Sequence, residues 1–135
     1  MAEEVYRDRY GAIRHDKDAG TLELEWFAET AQMDDDDFKD YLTRYAKAET
    51  SIRAPYLVID VTRFAFRPAQ EVGAWRDEHI IPLYNAAGVK KFAFLVPEGT
   101  LGTAGAGNVP APEPPGTFPT GYFDSRGQMK TWFAR

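Results

Sequence analysis

Apolar and polar positions along this chain change period several times, and each change marks an element. From residue 22 to 27 the pattern alternates, with Leu22, Leu24 and Trp26 on one side and Glu23, Glu25 and Phe27 on the other. That is the period of two of a half-buried strand. Residues 10–15 form a shorter strand segment before it. Between the two, Asp16-Lys17-Asp18-Ala19-Gly20 has turn composition, with Gly20 available for a positive φ. The pair predicts an antiparallel hairpin. Residues 1–9 carry mixed charge without a period and read as a tail or a frayed first strand.

The period then lengthens. Asp34-Asp35-Asp36-Asp37 precedes Phe38, Tyr41, Leu42 and Tyr45 at i, i+3, i+4 and i+7, one apolar stripe of a helix running to about residue 49. Four acids at its start suit a helix N-terminus, one capping and the others facing the positive end of the dipole. A metal site is the sharper reading of that run, but no calcium-loop spacing or glycine follows it.

The stretch from 54 to 96 organises the rest. Tyr56-Leu57-Val58-Ile59-Asp60-Val61 and Phe92-Ala93-Phe94-Leu95-Val96 are short apolar runs typed like buried strands. The helical pattern between them completes a parallel βαβ unit, whose crossover should be right-handed. Pro68 suits the first turn of that helix. Val72, Trp75, His79 and Leu83 lie near one face, and Pro82 predicts a kink or break. Gly88 and Val89 fit a Schellman end. Residues 97–119 are rich in Gly, Ala, Pro and Thr and aperiodic, the composition of a long loop. After them Ser125 and Gln128 fit a capping box ahead of Met129, Trp132 and Phe133 on a short last helix. The expectation is one α/β domain over residues 1–135, with a mixed sheet of about four or five strands.

Composition narrows the chemistry. There is no cysteine among the 135 residues, which removes disulfides, thiolate metal sites and cysteine nucleophiles. A net charge of −5 without a basic face argues against nucleic acid and anionic membrane as partners. The acidic N-terminus is not a signal peptide, and no apolar run approaches the roughly 20 residues of a membrane helix. A cytoplasmic protein is expected.

No catalytic signature is complete. Gly102 to Gly107 spell G-x-x-G-x-G, the reverse of the dinucleotide fingerprint, and run into prolines instead of a helix. The two histidines, His15 and His79, lack metal-ligand spacing, and the two serines are taken by a linker and a cap. No cofactor or metal is expected. A histidine at 79 is read as packed on the core edge. Glu71 and Glu78, seven apart, read as solvated acids.

Four stretches carry a family resemblance: Tyr56–Val61 as spelled above; the helix with Trp75 and Pro82; Ala87-Gly88-Val89-Lys90-Lys91 with the strand that follows; and Tyr122-Phe123-Asp124-Ser125 ahead of Trp132. Together they resemble the SpoIIAA-like branch of the STAS/SEC14-type domains from about residue 10 onward. The resemblance implies a mixed sheet with packed helices in a regulatory, partner-binding or apolar-ligand domain. Members of the anti-sigma-factor antagonist type are phosphorylated on a serine after the central strand; Thr62-Arg63-Phe64-Ala65-Phe66-Arg67-Pro68 has no serine, which puts that switch in doubt.

The expected function is a non-enzymatic interaction domain that self-associates as a homodimer and takes an apolar small molecule. Its site should lie at the carboxyl end of the central strand, with Arg63, Phe64, Phe66, Trp75, His79 and Phe118 as ligand-binding residues. Residues 97–119 should cover that mouth as a lid and not extend the sheet, because prolines interrupt ladder pairing. The alternative is a small enzyme using His79, Glu78, Arg63 and Tyr84.

Overall fold

The computed structural model describes residues 2–99, 109–110 and 118–135. Strands β1 (Ala2–Arg7), β2 (Gly11–Asp16) and β3 (Thr21–Trp26) form an antiparallel meander. A 3-10 turn (Ala28–Gln32) and helix α1 (Asp35–Ile52) lead to β4 (Tyr56–Asp60). Helices α2 (Gln70–His79) and α3 (Ile81–Ala87) lead to β5 (Lys91–Leu95). A two-residue strand β6 (Val109–Pro110), then β7 (Thr120–Phe123) and helix α4 (Arg126–Phe133), end the chain. The strands make one mixed sheet in the order β1-β2-β3-β4-β5-β7-β6. Its centre, β3-β4-β5-β7, is parallel throughout.

The α/β class is as expected, but the sheet has seven strands among the described residues instead of four or five. Two strands account for the excess. Residues 2–7 pair fully with β2, apart from a register shift between Glu4 and Tyr6. Val109–Pro110 pairs with β7, so the segment expected to cover the sheet's mouth and not to extend the sheet contributes a strand to it. Pro110 is tolerated because β6 is an outer strand, where the missing N–H can face away from the ladder. The rest of that expected lid, residues 100–108 and 111–117 with their glycine-rich run, lies outside the described residues.

Helix ends follow their residues. Asp34 caps α1, accepting from the Asp37 backbone N–H at 2.8 Å while the Asp37 carboxylate accepts from the Asp34 N–H at 3.1 Å. The aspartate run is thus a reciprocal cap. Gly88 closes α3 at φ 84°, and the Val89 N–H donates to the Tyr84 carbonyl, a Schellman end. The helical pattern breaks at Ile80, and Pro82 sits in the first turn of α3, where its absent N–H costs nothing. Pro68 does not play that part for α2, which starts two residues later behind Ala69. Ser125 caps α4 by accepting from the Gln128 N–H at 3.3 Å; the return bond that would complete a capping box is not formed among the described residues.

Two cores flank the sheet. Leu22, Leu24, Trp26, Leu57, Ile59 and Phe92 meet Tyr41, Leu42 and Tyr45 of α1 and Ile81 and Tyr84 of α3. On the other face Val58, Ala93, Leu95 and Phe123 meet Met129 and Phe133 of α4. Alternation along β3 thus sends its leucines and Trp26 to the larger core. Glu23 and Glu25 go to the other face, where they bind arginines. No described helix is long and apolar enough to cross a membrane.

Candidate functional site

Trp26 ends β3, Val61 follows β4 and Phe94 lies near the end of β5. These are carboxyl ends of parallel strands, the place where open α/β sheets leave a crevice. Here that crevice is a cavity of about 150 Å³. Its walls are Trp26, Phe38, Leu42, Ile59, Val61, Phe64, Ile81, Tyr84, Phe92 and Phe94, with Arg76 the one charged side chain.

The cavity is a gap between two aromatic sets. On one side Trp26 stacks on Phe38 at 5.6 Å, and Phe64 lies 5.2 Å from Trp26 and 5.8 Å from Phe38. On the other, Phe92 lies 4.9 Å from Phe94 and 5.6 Å from Tyr84. Among the described residues no ring contact joins one set to the other. Offset and tilted pairs at these separations are favourable ring geometries.

The loop after β4 carries Phe64 and is tied down along its length. Asp60 accepts from the Thr62 N–H at 2.9 Å and from the Thr62 hydroxyl at 2.6 Å. The fully buried Thr30 hydroxyl donates to the Phe27 carbonyl at 2.8 Å and accepts from the Ala65 N–H at 2.9 Å. Asp35 accepts from the Ala69 N–H at 3.1 Å. Three of these bonds satisfy backbone donors, of Thr62, Ala65 and Ala69, that a loop over an apolar cavity would otherwise leave unpaired.

Two polar groups meet this lining. Arg76 is 41% exposed and, among the described residues, donates only to its neighbour Asp77, both bonds falling on one oxygen at 3.1 and 3.3 Å. An exposed pair of that kind is worth about 0–1 kcal/mol. Tyr84 is buried, and its hydroxyl makes no hydrogen bond among the described residues. Burial pushes that hydroxyl far above the usual phenol range, partly offset by the positive charge of Arg76. It therefore stays protonated and able to donate.

The expected site residues separate into three places. Phe64 lines the cavity. Phe66 and Phe118 back its walls, Phe66 against Phe38 at 5.8 Å and Phe118 against Phe92 at 5.8 Å. Arg63 turns away to Glu25 at 2.9 Å and covers Phe27. Trp75 and His79 pack on each other on α2, with Lys39 over the Trp75 ring. His79 is not seated on the core edge as expected: its side chain is 60% exposed, 3.9 Å from Glu78. Of the four residues considered for catalysis, only His79 and Glu78 are paired. Among the described residues no hydrogen bond or ion pair links them to Arg63 or Tyr84.

Sequence reasoning missed Arg76. It placed Val72, Trp75 and His79 inward, whereas the buried pair is Val72 and Ile80. Arg76 stands four residues from each, and that i, i+4, i+8 spacing was the available signal.

A second, larger hollow of about 550 Å³ lies on the opposite face, between β2–β4 and α4. Its arginines are already matched, whereas Lys130, also in its lining, has no ion pair among the described residues. Arg126 holds Glu23 with two bonds of 2.8 and 2.7 Å and reaches Asp60 at 3.3 Å. Arg14 holds Glu25 at 2.7 Å just beyond. Internally neutralised arginines on an open face stitch α4 to the sheet and leave little unspent charge for a ligand. Among the described residues no cluster of three or more acids and histidines is placed to hold a metal. Comparison with known protein families, curated proteins and solved structures finds no match to this chain.

Proposed function

We propose that this protein is a non-catalytic binding domain of the SpoIIAA-like type whose ligand is a small apolar molecule held between the two aromatic sets. The observation that carries the reading is the cavity of about 150 Å³ at the carboxyl ends of the parallel strands. Apolar cavities of about this size take up benzene-sized molecules. The succession of hairpin, helix, strand, helices, strand and final helix supports the SpoIIAA-like assignment. A regulatory role fits that assignment, with ligand occupancy read out through the pinned loop after β4.

The test is a titration with toluene followed by methyl and indole NMR. Shifts centred on Ile59, Val61, Ile81 and the Trp26 indole are expected. Saturating toluene that moves none of them would overturn the reading. A Val61→Phe substitution should fill the space and abolish the shifts.

Self-association is a second reading, favoured by β1. Its outer edge has no partner strand, and its Val5, 44% exposed, is the one large apolar side chain exposed among the described residues. Antiparallel pairing of two copies centred on Val5 would set Glu3 opposite Arg7, a favourable cross-strand pair. The register shift beside Val5 works against a long ladder, which ranks this reading second. Sedimentation equilibrium at high micromolar concentration should show dimer; monomer alone would remove it.

A further inference from the structure

The two polar groups of the cavity are both donors. A guanidinium carries five N–H groups and no acceptor, and the Arg76 guanidinium uses two of them on an exposed neighbour. The Tyr84 hydroxyl, on a residue that is only 2% exposed, makes no hydrogen bond among the described residues. Among the described residues no carboxylate lines the cavity, and the acid paired with Arg76 is the exposed Asp77. An apolar slot between ring faces, with donors that no acid of the lining takes up, is complementary to a flat ring that carries an acceptor with negative charge.

We propose that the ligand is a small aromatic acid, its ring between the Trp26–Phe38–Phe64 set and the Tyr84–Phe92–Phe94 set and its anionic group on Arg76 and Tyr84. This rests on the binding role proposed above and names the ligand class for it. Arg76 is suited to the task because it reaches the lining from α2 while remaining part-exposed. It keeps its charge at no large desolvation cost, and its stem lies along apolar surface. The competing Asp77 is 57% exposed, so a carboxylate held on the cavity side exchanges one weak surface pair for a charge-assisted bond in a drier place. The ring supplies the apolar contacts, and the two donors fix which end faces out.

Benzoate and toluene, which share a ring and differ in charge, separate the two levels of the reading. Dissociation constants come from the NMR shifts of Ile59, Val61 and Ile81 in the unmodified protein, in R76Q and in Y84F. Substituting Arg76 should weaken benzoate about tenfold or more relative to toluene, the effect expected of one charge-assisted hydrogen bond. Y84F should lower that ratio less. Toluene shifts that stay centred on Ile59, Val61 and Ile81 show that the variants keep the fold and the cavity. If R76Q leaves the benzoate-to-toluene ratio where it was, or if benzoate shifts only Met129 and its neighbours beneath α4, the aromatic-acid assignment is wrong and the apolar binding role stands. If neither probe moves the cavity methyls, the binding role falls and takes this assignment with it.

Discussion

Glu49 makes the stability of this protein fall as pH rises. It lies in the last turns of α1 with its side chain fully buried. One carboxyl oxygen accepts from the Ala54 N–H at 2.9 Å, and the other has no partner. Burial pushes its pKa from 4.5 up to about 7, against the pull of the Ala54 N–H and the nearby Arg53 charge. Unfolded, the same carboxyl ionises near its ordinary value. Between those two values the folded chain holds a proton that the unfolded chain has released, so each added pH unit favours unfolding. The whole displacement corresponds to at most about 3 kcal/mol, present below the unfolded pKa and lost as pH climbs through about 7. A Glu49→Gln variant keeps an acceptor for Ala54 and cannot ionise. Urea unfolding of both proteins from about pH 5 to about pH 8 should give curves that converge at the acid end and separate by 1–3 kcal/mol at the alkaline end, the variant being the more stable there. Taking the difference between the two proteins removes every other titrating group. A difference that stays flat within about 0.5 kcal/mol, the error of such extrapolations, would refute the reasoning.

Three further outcomes are expected. Thr30→Val keeps the volume but strands the Ala65 N–H, so it should cost about 1–3 kcal/mol in chemical denaturation and speed amide exchange at Phe64 to Phe66; unchanged exchange there would mean that Thr30 does not hold the loop. Arg126→Ala leaves the mostly buried Glu23 and Asp60 side chains without their shared partner. Because Arg126 is half exposed, the cost should be only about 1–2 kcal/mol, and a thermal scan showing no loss would put the strength of that network elsewhere. Gly11→Ala would bring a Cβ to 2.5 Å from the Glu25 carbonyl and 3.3 Å from the Tyr41 hydroxyl. Backbone cannot yield as a side-chain tip can, so about 1–3 kcal/mol should be lost; a neutral result by urea unfolding would show that the β2–β3 pair can open at that point.

What was legible in the sequence was what neighbouring residues decide together. The alternation of Leu22, Leu24 and Trp26, the stripe from Phe38 to Tyr45, the Asp34 cap and the Gly88 end are all local patterns, and the chain follows them. β1 was ambiguous because Ala2-Glu3-Glu4-Val5-Tyr6-Arg7 has no period of its own. Its strand state is set by pairing with β2, and it is exposed almost throughout. β6 was missed for the reverse reason. Pro110 argues against a strand wherever both edges are used, and only its place at the rim makes it admissible. The loop phenylalanines could be read as cavity residues because they follow a central strand. Arg76 was missed despite its spacing from Val72 and Ile80, since a helix read as one stripe through Pro82 turns the wrong face inward. The break at Ile80 divides it into two short helices with separate inner faces.

That break also bears on why the cavity persists. The space of about 150 Å³ is partly open to solvent, so the roughly 3–4 kcal/mol that a sealed cavity of that volume would cost is an upper bound, still a sizeable fraction of the stability of a small domain. Collapse would require the two aromatic sets to approach, and each is fixed by a different part of the fold. Trp26 and Phe38 are set by β3 and the capped start of α1, and Phe64 by the Thr30 and Asp60 bonds. Tyr84 is set by the Schellman end of α3 and its contact with Tyr45 at 6.1 Å, and Phe92 and Phe94 by β5 between two parallel neighbours. The Tyr45 hydroxyl, 2.6 Å from the Leu22 carbonyl and 3.1 Å from the Val58 carbonyl, anchors α1 to β3 and β4. The space is therefore enforced by backbone elements and cannot be relieved by rotamer changes alone. A larger residue than Val61, which lines it, would take up part of it without moving any of those elements. The proposed binding role would account for a valine there, since occupancy by a ring recovers the contacts that the walls cannot make with each other.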